Sequence, residues 1–288
     1  MPHPSAPDPD PAPGLVTIGK AAKKATLGGR TQVIVPVSGD AAALSGQVEA
    51  LASCRADIVE WRADTFLSSL VGSHFVAASD VEEDLVRMAR YVADSSPLPV
   101  LATIRTSVEG GKAYLDDEEY CTLVRRLASF AGGVDVEISR DGSSALIEEV
   151  HEAGAIVVAS FHDFEATPGD EQLAEVLAAM NYAGADVLKF ACMASSATDA
   201  ARVLAPRDTR PRAFFAGLCP EGRWSVIQRP SRLLCAVTAC VGGTQVRNTC
   251  GCRPSGPPPQ LCQRCSESSR LLGGHGYDRV SDTHRAGG

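Results

Sequence analysis

The chain has 288 residues and a formal net charge of −8, with 35 Asp and Glu against 27 Lys and Arg. That length suits one α/β barrel of about 250 residues plus tails, and the acidic balance argues against nucleic acid or an anionic membrane surface as the main partner. No stretch approaches the roughly 20 apolar residues of a membrane span. The first fourteen residues, with six prolines and no apolar run, read as a disordered leader and not a secretory signal, so a soluble cytoplasmic protein is expected.

Residues 15–36 carry two short apolar runs, LVTIG and TQVIVPV, around a lysine-rich turn. The second is β-branched and is expected to be the first buried strand, stopping at Pro36. Over 40–53, Leu44, Val48 and Leu51 recur at helical spacing behind Asp40 as N-cap. ADIVEWRAD then reads as a strand whose alternation sets Glu60, Arg62 and Asp64 on one face. A helix over 80–93 carries Val81, Leu85, Met88 and Val92 on one stripe. PVLATIRTSVEGG is a strand ending in Arg105 that runs into a glycine-containing loop with Glu109. Next come a helix over 116–130 with Tyr120, Val124 and Leu127 inward, and a strand, VDVEIS, with Asp135 and Glu137 on one face. A helix over 143–152, the strand AIVVASFHDF ending at His162, a helix over 170–183, the strand ADVLKFA and a helix over 197–204 complete six strand–helix units.

Such repetition predicts parallel βαβ topology. A doubly wound sheet would carry a glycine-rich turn after its first strand, and PVSGDA is not one. Arg62, Arg105, Glu137, His162 and Lys189 fall at or near the C-terminal ends of successive strands, the rim where TIM barrels build their sites. The expected fold is therefore an α/β TIM (β/α)8 barrel over 15–218, its last one or two units departing from the pattern. A leader over 1–14 precedes it, and a poorly ordered tail over 219–288 follows.

Lys189 stands alone in the apolar run AGADVLKFACMA. Desolvating an ammonium costs several kcal/mol, and a lysine so placed is either a strand-end residue reaching water or an amine nucleophile for a carbonyl substrate. With a ketone it would form an iminium, an electron sink for the adjacent carbon. His162 is the natural base for that carbon's proton. Glu109 could orient the imidazole, and Arg62 and Arg105 offer bidentate forks for a carboxylate or hydroxyls. Each has a structural alternative: a capping histidine, an ion-pair cluster of Glu60, Arg62 and Asp64, a solvated loop acid. Their coincidence on one rim favours a site for a small anionic keto-compound.

VEWRAD, ATIRTSVEGG, VDVEIS, SFHDFEATP and ADVLKFA together resemble the serial motifs of type I 3-dehydroquinate dehydratase, a shikimate-pathway lyase. The resemblance covers roughly residues 30–205. It implies a TIM barrel, a homodimer, and no metal or cofactor. It also implies that Lys189 forms a Schiff base with 3-dehydroquinate, that His162 is the acid and base for loss of water to 3-dehydroshikimate, and that Glu109 supports His162. Glu60, Arg62 and Arg105 would hold the substrate's hydroxyls and carboxylate. A class I aldolase on the same barrel also uses a strand-six lysine, but the HDF histidine and the paired arginines argue against it.

The last third departs from the family pattern. A seventh strand, G-x-x-S-R, an eighth strand and A-P-G-Q are expected, whereas this chain reads AFFAGLCPEGRWSV, with Val226 where the substrate-binding arginine should stand. No A-P-G-Q appears. From Ala213 onward there are nine arginines, no lysines and seven cysteines. Cys250, Cys252, Cys262 and Cys265 form C-x-C-x9-C-x2-C, which could hold zinc in an interaction module or a non-catalytic remnant. The tail lacks the apolar periodicity of a packed module, which favours instead a shift of coding frame near residues 219–226. AFFAGL remains able to supply the seventh strand and LLCAVTACV an imperfect eighth. Loss of half the carboxylate clamp predicts weak turnover.

Overall fold

The computed structural model describes residues 15–20, 22–27, 32–71, 78–204, 213–218 and 224–227. All of them belong to one compact unit, Met1–Arg247. The leader, the zinc-like cysteine quartet, LLCAVTACV and the rest of the tail apart from 224–227 lie outside the described residues.

The first apolar run is not a barrel strand. β1 (Val16–Lys20) and β2 (Lys23–Leu27) pair antiparallel as a separate hairpin. β3 (Ile34–Ser38) opens the main sheet and runs through Pro36 instead of stopping there. Among the described residues β3 pairs only with β4 (Ile58–Arg62), and an edge strand tolerates the missing proline N–H. Between them lies α1 (Ala41–Ala50), where the Asp40 side chain accepts a hydrogen bond from Ala43 N at 2.9 Å.

The strand read over ADIVEWRAD ends earlier than expected. Arg62 closes β4 and Ala63 begins α2 (Ala63–Val71), so Asp64 sits in a helical first turn and not on the strand face. The order continues with α3 (Ala78–Ser95), β5 (Val100–Thr103), α4 (Asp117–Ala128), β6 (Gly133–Glu137), α5 (Ser143–Glu152) and β7 (Ile156–Asp163). After these come α6 (Asp170–Tyr182), β8 (Val187–Met193), α7 (Ala197–Leu204), β9 (Ala213–Leu218) and β10 (Trp224–Ile227). At α4, Asp116 and Glu119 form a reciprocal capping box.

β3 to β9 are all parallel, each paired with the next in chain order, which makes the fold the TIM-barrel class. AFFAGL does form the seventh strand, β9. The strand that follows differs from the barrel plan: β10 pairs antiparallel to β9, with Val226 opposite Ala216, and no ladder joins it to β3 among the described residues.

Strand alternation sends side chains to two cores. Outward residues such as Val59, Trp61, Ile104, Val134, Val136 and Phe190 pack under the helices with Leu44, Leu85, Tyr120, Leu127 and Ile147, all essentially buried. The inward face is apolar mainly near the N-terminal strand ends. There Ile58, Leu101, Val158 and Val187 meet Val16, Ile18 and Leu27 of the hairpin, which thus closes that end of the interior. Hairpin lysines fasten the closure to helix ends. Lys20 Nζ donates to the carbonyls of Ala128 and Ser129 at 2.7 and 2.9 Å, and Lys23 Nζ to those of Ala93 and Asp94 at 2.8 and 2.9 Å. Both satisfy unpaired carbonyls at the negative end of a helix dipole.

The closure depends on backbone meeting backbone. A Cβ on Gly132 would lie 2.4 Å from Gly19 Cα, so Gly132→Ala is expected to cost about 1–3 kcal/mol by overpacking. Urea denaturation measures it, and an unchanged midpoint would show that the hairpin does not press on β6.

Candidate active site

Above the apolar layer the inward positions turn polar. Glu60 and Arg62 come from β4, Thr103 from β5, Asp135 and Glu137 from β6, Ser160 and His162 from β7 and Lys189 from β8. The registers Thr103 opposite Asp135, Glu137 opposite Ser160 and Ser160 opposite Lys189 carry them round the same interior. Lys189 is not at the strand end but third in a seven-residue strand, so it sits deeper than His162.

Arg105 stands at the centre. It lies two residues beyond β5 and is 4% exposed. Its Nη1 donates to Glu109 Oε2 at 2.8 Å, Glu137 Oε1 at 3.0 Å and Ser160 Oγ at 3.0 Å, and its Nη2 to Asp135 Oδ1 at 2.7 Å. Both terminal nitrogens are engaged by the protein's own acceptors. Arg62 is the more open cation, with a side chain 32% exposed, held flat by a bidentate pair with the buried Asp64 at 2.9 Å on each arm. Asp64 also accepts the Lys112 N–H at 3.1 Å, which ties that pair to the loop bearing Glu109.

Lys189 Nζ donates to Asp135 Oδ2 at 3.1 Å and lies 3.5 Å from Glu60 Oε1, which also accepts from Thr103 Oγ1 at 2.9 Å. His162 Nδ1 is 2.9 Å from Glu109 Oε2. Glu109, read from sequence as a loop acid, occupies a single 3-10 turn, Ser107–Glu109, and is only 3% exposed. Ser139 Oγ donates to its other oxygen at 2.9 Å. Gly110 follows with φ of 77°, and a Cβ there would strike the Phe164 ring, which lies parallel to His162 with centroids 6.1 Å apart. Glu137 accepts from Thr106 N and Thr106 Oγ1 at 2.8 and 2.7 Å, and its own N–H donates to Tyr120 Oη.

Burial and charge oppose one another throughout. Burial alone would raise Asp135, but the Arg105 and Lys189 charges outweigh it and hold the carboxyl well below the usual range. Glu60 is likewise lowered, with Lys189 and Arg62 overcoming its burial. Glu109 goes the other way: burial, against the pull of Arg105 and aided by Glu137, pushes its carboxyl up to about 8. Burial, then the Arg105 and Lys189 charges, holds His162 well below its ordinary value, so the ring is neutral at pH 7.

The structure thus joins all six residues expected from sequence. It adds Asp135, Ser160, Thr103, Thr106, Ser139 and Asp64. Of these Asp135 had a visible signal, as the partner of Glu137 on one face of VDVEIS, and Asp64 had one as the ion-pair partner of Arg62. Among the described residues no group of three or more His, Cys, Asp or Glu converges to hold a metal ion, and no helix is long and apolar enough to cross a membrane.

A lysine deep in a barrel, beside a histidine–glutamate pair, can do imine and proton-transfer chemistry on one substrate. The type I 3-dehydroquinase family model matches residues 33–213. The chain belongs to that family. Its chemistry is that of a hydro-lyase, the dehydration of 3-dehydroquinate, and a Schiff base is general to the family. The 3-dehydroquinate dehydratase of Klebsiella pneumoniae is 33% identical over 182 residues, 62% of this chain and 69% of the relative. Among solved structures, 3-dehydroquinate dehydratase from Geobacillus kaustophilus superposes with a TM-score of 0.62 at 24% identity, covering 72% of this chain and 80% of that one. The type I enzyme from Clostridium difficile, solved with covalently modified comenic acid, gives 0.59 at 25% identity, with 71% and 80% covered.

Arg105 carries the electrostatics of this site. Replacing it with Ala would strand Asp135, Glu109 and Glu137 and is expected to cost about 3–5 kcal/mol. Arg62→Ala strands one buried carboxylate, Asp64, instead of three, and should cost less, about 1–3 kcal/mol. Guanidinium unfolding of the two variants compares them, and equal losses would contradict the central place given to Arg105.

Proposed function

We propose that this chain dehydrates 3-dehydroquinate with Lys189 as the amine that forms the Schiff base and His162 as the group that moves the proton. One observation carries the reading: Lys189 is held by Asp135, His162 by Glu109, and the same Arg105 guanidinium binds both carboxylates. Nucleophile and base are thereby fixed in one frame. The covalent ligand in the Clostridium difficile relative supports covalent chemistry in this barrel.

The lysine nitrogen adds to the ketone carbon, water leaves, and a cationic iminium remains. His162 takes a proton from the adjacent carbon, the electrons pass into the enamine, and the same imidazolium returns the proton to the departing hydroxyl, which leaves as water. Hydrolysis of the product iminium releases 3-dehydroshikimate and restores the amine. Glu109 orients His162. Glu60 and Arg62 face the ligand space and would take hydroxyls and carboxylate, while Arg105 acts through the residues it holds. With Val226 standing where the family pattern has arginine, substrate is expected to bind weakly. In the same reading the chain works in the cytoplasm as a homodimer, with the barrel over 15–218 and a separate tail beyond it.

The histidine–glutamate pair sets a pH rule. While Glu109 is protonated its O–H donates to Nδ1, so the ring proton sits on Nε2 and no lone pair faces the substrate. Once Glu109 ionises it accepts the Nδ1–H and frees Nε2 as base. kcat/KM is therefore expected to rise with pH through an apparent pKa of about 8. Glu109→Gln should lose that limb, and a wild-type profile flat from about pH 6 to 9 would sink the assignment. His162→Ala should still form the imine but dehydrate about 10²–10⁴-fold more slowly. Full retention of rate would remove His162 from the mechanism.

A further inference from the structure

We propose that Asp135 is a further catalytic residue, the carboxylate that aims Lys189 Nζ and serves as counter-ion to the iminium formed on it. The inference rests on the reading of Lys189 as the Schiff-base lysine and goes beyond it. Two carboxylates approach Nζ, Asp135 at 3.1 Å and Glu60 at 3.5 Å. They are not equivalent. The Glu60 side chain is 14% exposed and shares its contacting oxygen with Thr103. Asp135 is completely buried, and its second oxygen is fixed by Arg105 Nη2 at 2.7 Å and Ser160 Oγ at 2.5 Å.

That division of labour has a chemical meaning. Oδ1 is locked by two donors, so Oδ2 can swing little and points at the reacting nitrogen. Forming the imine expels one water and leaves one positive charge on nitrogen, in a site from which solvent is largely excluded. A fixed anion already in place stabilises that charge without reorganising at the moment of reaction. The iminium nitrogen keeps one hydrogen, which Oδ2 can accept throughout the catalytic cycle. The Arg105 and Lys189 charges keep the carboxylate ionised, so it does not compete with His162 for the substrate proton.

The test uses the full chain with 3-dehydroquinate and sodium borohydride, followed by peptide mass mapping, on wild type, Asp135→Asn and Ser160→Ala. Wild type should carry the reduced adduct on Lys189, and an unmodified Lys189 would overturn the underlying reading and this inference together. With wild-type trapping established, Asp135→Asn is expected to lower the rate of Lys189 trapping at saturating substrate, and kcat with it, by about 10²–10³-fold, leaving KM within a few-fold. A folded Asp135→Asn that traps and turns over at the wild-type rate would overturn the proposal. Should Asp135→Asn fail to fold, Ser160→Ala decides. It leaves the charge and removes one of the two donors that hold Oδ1, with Arg105 Nη2 remaining, and the expected result is a several-fold slower trapping at unchanged melting temperature. Wild-type trapping by a stably folded Ser160→Ala would overturn the proposal.

Discussion

Three inward-facing carboxylates share one guanidinium, and the catalytic half of the barrel depends on it. Asp135, Glu137 and Glu109 are each 3% exposed or less, and Arg105 reaches all of them. Buried charges of one sign cannot coexist at this spacing without a cation of fixed geometry, because desolvation and mutual repulsion add. Arginine suits the task through its planar fork, which a lysine could not reproduce. The same fork sorts the acids by their environment. Asp135 stays ionised beside two cations, whereas Glu109 holds a proton until pH reaches about 8. One cation thus keeps an anion ready for the lysine, while burial makes Glu109 a titrating partner for the histidine.

This polar half is possible because the other half is sealed. The β1–β2 hairpin places Val16, Ile18 and Leu27 against the first inward residues of the strands, and its lysines lock onto the ends of α3 and α4. Water is excluded from below, so the ions above act in a medium where a charge placed correctly matters more. Gly132 allows the approach, since a side chain there would meet the Gly19 backbone, and Gly19 lets the two strands of the hairpin pair at Lys23.

Much of this was legible beforehand. The helices of the central units, the cap at Asp40, and the strands bearing Glu137, His162 and Lys189 follow from periodicity and from the few residues that end helices and strands. The placement of Asp64 did not: Ala63 turns strand into helix with no intervening loop, so a period of two was carried two residues too far. The hairpin read as an apolar run because its partner strand, KKATL, has polar residues on its outer face. Arg105 illustrates a deeper limit. Its position on the chain was readable, but whether a basic residue serves ligand or protein depends on acceptors 30 and 55 residues away, at Asp135 and Ser160, which only the parallel pairing of β5, β6 and β7 brings together. β10 departs from the barrel plan where the sequence departs from its family, at WSVI.

The most direct measurement is a crystal structure of the borohydride-reduced complex with 3-dehydroquinate. The account expects continuous density from Lys189 Nζ to the substrate carbon, with Asp135 still against the nitrogen and Arg105 still on its three carboxylates. Density for the adduct at another residue, or Arg105 swung free to bind the substrate carboxylate, would contradict it.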